Sequence, residues 1–239
     1  MKTESILGVH ILATDYKEFM DVLKEDIINK EKRIIVAINP EKIMKMRRDK
    51  ILQRFIQNSD YRIPDGVGVL MASKRKDGAI KNRITGVDTM THLCGLAAKE
   101  GFKVFLYGGK EEVVQKAKEN LLETYKGLQI VGTQNGYDAP ENLVDIINES
   151  GAQILFIAMG SPKQELWMEE HQEKLHVNIM QGVGGSFDVL GGFVKRAPAW
   201  MQSHGLEWLH RLLVNPSRIL RQMNLIRFYL LLRKEGKSL

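Results

Sequence analysis

Short apolar runs alternate with stretches of helical period along most of the chain. Residues 33–38 (RIIVAI), 102–107 (FKVFLY), 128–133 (LQIVGT), 153–159 (QILFIAM) and 177–180 (VNIM) have strand length and are mostly apolar. That is the pattern of strands covered on both faces. Residues 14–30 place Phe19, Val22, Leu23, Ile27 and Ile28 on one helical face behind a Thr14–Asp15 cap. Charged residues at helical spacing run from Asn39–Pro40 to about Gln57, and residues 63–70 (IPDGVGVL) read as a turn leading into an apolar segment. Further helices are predicted over 87–99, 111–125, 141–150 and 162–174. Strands separated by helices imply crossover connections and a Rossmann-like α/β fold, a mostly parallel sheet with helices on both faces. Ligands of such sheets bind beyond the carboxyl ends of the strands.

From about Ala199 the character changes. Trp200, Trp208, Phe228 and Tyr229 stand among arginines, and Ile219, Met223, Ile226 and Leu230 share one helical stripe. Arg218 and Arg221 lie to one side of it, and Arg227 near it. Residues 195–239 hold nine Lys/Arg against two Glu, a net of +7, while the whole chain is +6, so the preceding residues are close to neutral. The expected division is an α/β core at 1–194 and a basic, helical, amphipathic appendage at 195–239. Such a helix suits an anionic membrane surface; packing on the core or on another subunit is the alternative. Uncovered apolar residues there also favour a homo-oligomer. The tail lacks a stacking platform, so no nucleic-acid partner is expected. Cys94 is the one cysteine and falls in an apolar helical pattern, where a packing thiol is the expectation. The N-terminus lacks the apolar core of a signal peptide, and no eighteen-residue apolar run occurs that would span a bilayer.

Polar residues with chemical potential collect where the apolar runs end: Asn39, Gly108–Gly109, Asn135–Gly136–Tyr137, Gly160 to Glu165, and residues 181–198 (QGVGGSFDVLGGFVKRAP). The last stretch packs five glycines into eleven residues, with Asp188 among them and Lys195–Arg196 near its end. Turn amides of this kind suit a diphosphate; a structural loop at a sheet edge fits them as well. The spacings do not match a P-loop at Gly108–Lys110, a G-x-G-x-x-G helix start at 182–185, or H-E-x-x-H at His171 and His176. No D-x-D occurs to hold a metal on a nucleotide diphosphate, so protein cations and amides are expected in that role, with no metal and no cofactor. Acid–base candidates are Asp65, Asp88, Asp188 and Glu165. Asp65, between Pro64 and Gly66, either projects into a cleft as a base or bonds its own turn. Asp88 has the position of an N-cap, and Arg83 offers a fork for phosphate.

Together, Asn39–Pro40–Glu41, Pro64 to Gly68, Arg83 with Gly86 and Asp88, Tyr107–Gly108–Gly109, Asn135–Gly136–Tyr137, Gly160 to Glu165, Gly182 to Asp188, Lys195 to Pro198, Trp200, Glu207–Trp208 and Arg211–Leu212 form one ordered set. In order and spacing, over nearly the whole length, this set resembles the WecG/TagA/CpsF family, glycosyltransferase family 26. The resemblance implies an inverting, metal-independent transferase of bacterial surface-polymer synthesis. It would move N-acetylmannosamine from a UDP-sugar donor to an undecaprenyl-diphosphate-linked N-acetylglucosamine acceptor in β-1,4 linkage, as in the teichoic acid linkage unit. A peripheral protein at the cytoplasmic face of the plasma membrane follows from that. Transfer of the uronic acid derivative, or a nucleotide-binding module without transfer chemistry, are the alternatives.

The resemblance makes Asp65 the base, and Arg83 with the amides of the glycine turns is expected to stabilise the leaving UDP. Asn39, Gly108, Gly109, Asn135, Tyr137, Lys163, Gln164, Glu165, Gln181, Gly184, Gly185 and Asp188 are the expected substrate contacts. Lys195, Arg196, Trp200, Trp208, Arg211, Arg218, Arg221 and Arg227 are the expected membrane or acceptor contacts. One position departs: the family commonly has Thr where this chain has Ala37, which removes a hydroxyl contact.

Overall fold

The computed structural model describes residues 1–214 and 219–235. The chain opens with an antiparallel hairpin of β1 (Lys2–Ile6) and β2 (Val9–Ala13), turned through Leu7 and Gly8. The pattern reading overlooked it, because a five-residue strand with an interrupted alternation is a weak signal.

Six parallel strands follow: β3 (Arg33–Ile38), β4 (Tyr61–Pro64), β5 (Lys103–Gly108), β6 (Gln129–Gln134), β7 (Ile154–Ala158) and β8 (Ile179–Gly182). Their spatial order is β4-β3-β8-β7-β5-β6. Alternate side chains feed two cores. Ile34, Val36, Ile38, Phe105, Tyr107, Leu155 and Ile157 face one layer; Ile35, Ala37, Val104, Leu106, Ile154, Phe156 and Ala158 face the other. Strands buried on both faces need helices on both. One layer is built from α1 (Tyr16–Ile28), α5 (Gly86–Glu100), α6 (Glu111–Thr124) and the short α9 (Ser186–Leu190). The other has α2 (Pro40–Met46), α3 (Lys50–Asn58), α4 (Val67–Arg75), α7 (Leu143–Glu149) and α8 (Lys163–His171), together with the hairpin. The expected α/β architecture is therefore the one observed.

Several boundaries differ from the pattern. The segment after Asn39 is two helices, because Asp49 caps a second one by accepting from the Ile51 and Leu52 amides at 3.0 Å. The apolar segment after Asp65 is helical, and Gly66 before it sits at φ +97°, a region open to glycine. Asp88 is not an N-cap. Thr85 caps α5, its Oγ1 accepting from the Asp88 amide at 3.1 Å, and Asp88 stands in the first turn, where a carboxylate meets the helix dipole.

The tail forms α10 (Ala199–Ser203), α11 (Glu207–Val214) and α12 (Ile219–Glu235). Helix α12 packs on α2 and buries Phe228 and Leu232 fully in the first core. Ile226 and Leu230, half of the stripe read from the sequence, are 64% and 54% exposed, so α12 has a second apolar face turned outward. The side chains of Ile219 and Met223 lie outside the described residues. Among the described residues, no helix is long and apolar enough to cross a membrane. Phe228→Ala is expected to cost about 3 kcal/mol of stability by leaving a cavity. Urea unfolding read by circular dichroism checks this; an unchanged midpoint would mean that α12 does not dock through this ring.

Candidate active site

The site is assembled at the carboxyl end of β4 and β3, the edge of the sheet nearest the tail. β4 ends at Pro64, and Asp65 follows, its amide donating to Ile38 O at 2.9 Å and Ile63 O at 3.0 Å. The Asp65 turn is thus pinned to the end of β3. The Arg83 segment is drawn to the same place because Ile84 N donates to Pro64 O at 3.0 Å. Arg83 Nη2 then stands 3.8 Å from Asp65 Oδ1. Two residues on, Thr85 donates its amide to Tyr16 Oη at 2.8 Å. Burial, with the charges of Asp88 and Asp65 nearby, pushes the Tyr16 phenol up to about 12.

From this edge a chain of alternating charge runs inward. Arg83 Nη2 also bonds Glu207 Oε2 of α11. The other oxygen, Oε1, accepts from Arg196 Nε at 3.2 Å. Arg196 in turn grips Asp88 with both terminal nitrogens, at 2.5 and 2.8 Å. Burial pushes the Asp88 carboxyl up, but Arg196 and the Thr85 hydroxyl bonded to it, with Arg83 nearby, hold it below the ordinary range. The Asp88 hydrogen bonds raise Arg196 further. Glu207 is only 5% exposed, and Arg83 Nε is buried with no hydrogen-bond partner.

Behind this edge lies a second buried polar group. Asn39 caps α2, accepting from Lys42 N at 2.9 Å, and Pro40 at the first helical position leaves no amide to satisfy. That start places Lys42 Nζ 2.6 Å from Glu165 Oε1, with both residues buried. Burial would raise the Glu165 carboxyl, but the Lys42 charge and hydrogen bond hold it below the usual value. Gln164 bridges Glu165 Oε1 at 3.2 Å and the Gly184 amide at 2.9 Å, and Gln181 Nε2 donates to Gly86 O at 2.8 Å. So three of the expected substrate contacts, Gln164, Glu165 and Gln181, are walled inside the fold, and the Gly184 amide is already taken. Lys163 is exposed at the start of α8, and Asp188 and Gly185 lie beside each other around α9.

The remaining expected contacts are at the far side. Gly108 packs so closely on β7 that a Cβ would stand 2.5 Å from Ala158 O. Gly136 N donates to Gly109 O at 2.8 Å, and Asn135 Oδ1 accepts from the Tyr137 and Asp138 amides at 2.9 Å. Tyr137 is 75% exposed. Five strand spacings of about 4.8 Å separate β6 from β4, so Asn135 and Tyr137 start roughly 24 Å from the Asp65 edge. The structure gathers Asp65, Arg83, Asn39 and the tail; it does not bring Asn135 and Tyr137 to them.

In the tail, Lys195, Trp200, Trp208 and Arg227 are exposed, whereas Arg196 faces inward on Asp88 and Glu207 instead of outward. Arg218 lies outside the described residues, as do the side chains of Arg211 and Arg221. Pattern reading missed Lys42, Tyr16 and Thr85. The Asn39–Pro40 helix start was a usable signal for Lys42; nothing local marked the other two.

The glycosyl transferase model of the WecG/TagA/CpsF family matches residues 4–239. The chain belongs to that family. An N-acetylglucosaminyldiphosphoundecaprenol N-acetyl-beta-D-mannosaminyltransferase of Bacillus subtilis (strain 168) is 32% identical over 240 aligned positions, covering 100% of this chain and 94% of the relative. This family member is a glycosyltransferase, which fits a carboxylate and a guanidinium set side by side at a strand-end rim.

Glu165→Gln strands the Lys42 ammonium in the interior and is expected to destabilise the transferase by about 3 kcal/mol at neutral pH. Because the folded carboxyl is depressed, the pair's contribution is complete above the ordinary glutamate value of about 4.3 and lost as pH falls below it. The stability gap between variant and parent should therefore close on acidification. Denaturant titrations at neutral pH and near pH 3.5 measure it; a gap that stays constant would contradict the ion pair.

Proposed function

We propose that this family member transfers N-acetylmannosamine from UDP to undecaprenyl-diphosphate-linked N-acetylglucosamine, with Asp65 as the general base. The observation that carries the reading is the Asp65–Arg83 pair, 3.8 Å apart at the rim, in a chain aligned end to end with a mannosaminyltransferase. The acceptor's 4-hydroxyl attacks the anomeric carbon on the face opposite UDP while Asp65 takes its proton. The glycosidic bond to the diphosphate oxygen breaks, and UDP leaves with the added negative charge. Arg83, whose guanidinium stands at the rim beside Asp65, is the donor to that charge. Asn39, at the end of β3 beside the Asp65 turn, lies within the same rim, and its cap geometry fixes the turn that a sugar would meet. Asp65→Ala should lower turnover about 10²-fold or more while UDP binding, measured by calorimetry, persists. Near-normal turnover would remove Asp65 from the role. Protein cations carry the leaving-group charge on this reading, so turnover should persist in excess EDTA; a strict need for Mg²⁺ would count against it.

The acceptor is a lipid, and the tail is read as the surface that meets its membrane, on the cytoplasmic side. Trp200, Trp208, Leu213, Val214, Ile226 and Leu230 are exposed there. A groove of about 580 Å³ between α4 and α12 mixes Met71, Tyr229 and Leu230 with Lys74, Arg75 and Arg233. Apolar residues ringed by cations suit anionic headgroups, each cation contributing roughly 1 kcal/mol. The same surface is the one a homo-oligomer would cover. Ile226→Glu with Leu230→Glu should abolish co-sedimentation with phosphatidylglycerol vesicles and leave turnover on a short-chain acceptor in solution. Undiminished sedimentation would reject this surface, and a loss of self-association in the variant would assign it to subunit contact instead.

A further inference from the structure

We infer that Glu207 of α11 is a positioning residue for the transfer reaction, holding the Arg83 guanidinium off the Asp65 carboxylate. The inference rests on the reading of Asp65 as the base. Arg83 Nη2 is shared unequally: it bonds Glu207 Oε2 and stays 3.8 Å from Asp65 Oδ1, beyond hydrogen-bond length. Glu207 is 5% exposed and anchored on its other side by Arg196, at 3.2 Å. Arg196 in turn is clamped by Asp88 through two bonds. The carboxylate therefore cannot swing away without breaking a buried network, and Arg83 is held in place by residues 124 positions apart in the chain.

A base needs the opposite of a tight ion pair. A guanidinium bonded directly to a carboxylate stabilises the ionised form and makes it a poorer proton acceptor. Among the described residues, the charged and titratable groups facing the pair include Tyr16 from α1, Asp88 from α5, Arg196 ahead of α10 and Glu207 from α11. Of these, only Glu207 competes with Asp65 for the same Arg83 nitrogen. Neutralising it removes both that competition and a nearby negative charge, and both changes favour the ionised Asp65, so that it takes its proton only at lower pH. The tail thus enters the reaction through a side chain in the site as well as through any surface it offers outside.

The test uses the full chain with UDP-N-acetylmannosamine and a short-chain, water-soluble lipid-diphosphate acceptor, so that vesicle docking does not enter. Glu207→Gln is expected to fold and bind UDP, to lose about tenfold in turnover, and to move the acidic limb of kcat/KM down by about one pH unit. Glu207→Asp, which withdraws the charge by one methylene, should show the same change in smaller size. A turnover loss equal at every pH, with the limb in place, would mean that Glu207 only docks the tail, and would overturn the inference; so would a wild-type profile. Should Glu207→Gln not fold, Glu207→Asp decides alone, and a limb at the wild-type position overturns. Asp65→Asn runs in parallel: if it keeps its turnover, the base reading fails; if it is inactive while the Glu207 variants keep the limb in place, only the inference fails.

Discussion

Five side chains of alternating sign, Asp65, Arg83, Glu207, Arg196 and Asp88, join the edge of the sheet to the tail. Taking any one of these charges out of water is costly, and each is tolerable only because its neighbours have the opposite sign. The two ends of the chain belong to the core, Asp65 after β4 and Asp88 in the first turn of α5, while Glu207 belongs to α11 and Arg196 to the segment before α10. The tail therefore completes the electrostatics of the rim. Without α11, Arg83 and Arg196 would lose the carboxylate that joins them, the one bonded to both among the described residues.

The parallel sheet decides where this network can form. Strands covered on both faces leave only their ends for polar chemistry, and the order β4-β3-β8-β7-β5-β6 puts Asp65 at one edge and Asn135 at the other. Between them, at the ends of β8 and β7, Lys42, Glu165 and Gln164 form a bonded buried group that also holds the Gly184 amide, and Gln181 bonds the Gly86 carbonyl. These buried groups stiffen the floor on which the glycine turns sit. Residues of one composition at the strand ends thus divide into two kinds: those that shape the rim and those that could touch a ligand lying along it.

Most of the sheet was legible because a doubly covered strand leaves a mark that survives without context: RIIVAI became β3 residue for residue. The helices facing it were legible through their period, with ends blurred by one to three residues where caps decide. The break between α2 and α3 escaped because Asp49 looks like any charged residue in a charged helix. The cap of α5 fell to Thr85 instead of Asp88 for a related reason: both are good caps, and only the backbone angles separate them. Arg83 was marked as a candidate by its fork, but for Asp65 the choice of a base over a turn residue came from the family resemblance, since a Pro-Asp-Gly aspartate more often serves its own turn. The part played by Glu207 was not legible at all. It depends on a pairing across 124 residues, and no periodicity carries that information.

Helix α12 has two apolar faces, and the amphipathic reading found the outward one and missed the one that docks. Its sequence is apolar at Leu225, Ile226, Phe228, Tyr229, Leu230, Leu231 and Leu232, nearly all round, so the stripe through Ile226 and Leu230 and the stripe through Phe228 and Leu232 score alike. The core takes the second, because Phe228 fills space against α2. The first is left outward, where Ile226 and Leu230 line the groove between α4 and α12 that carries Lys74, Arg75 and Arg233. α4 begins at Val67, directly after the Asp65 turn, and Gly68 at its start is packed so tightly on Pro40 that a Cβ would meet Cγ at 2.4 Å. Rigid elements therefore link the outward face of α12 to the Asp65 turn. If that face lies on a membrane as proposed, Asp65 sits at a fixed height above the headgroups. A lipid-linked sugar, whose diphosphate cannot leave the interface, would then present its hydroxyl to one side of the rim only, the edge where β4 ends.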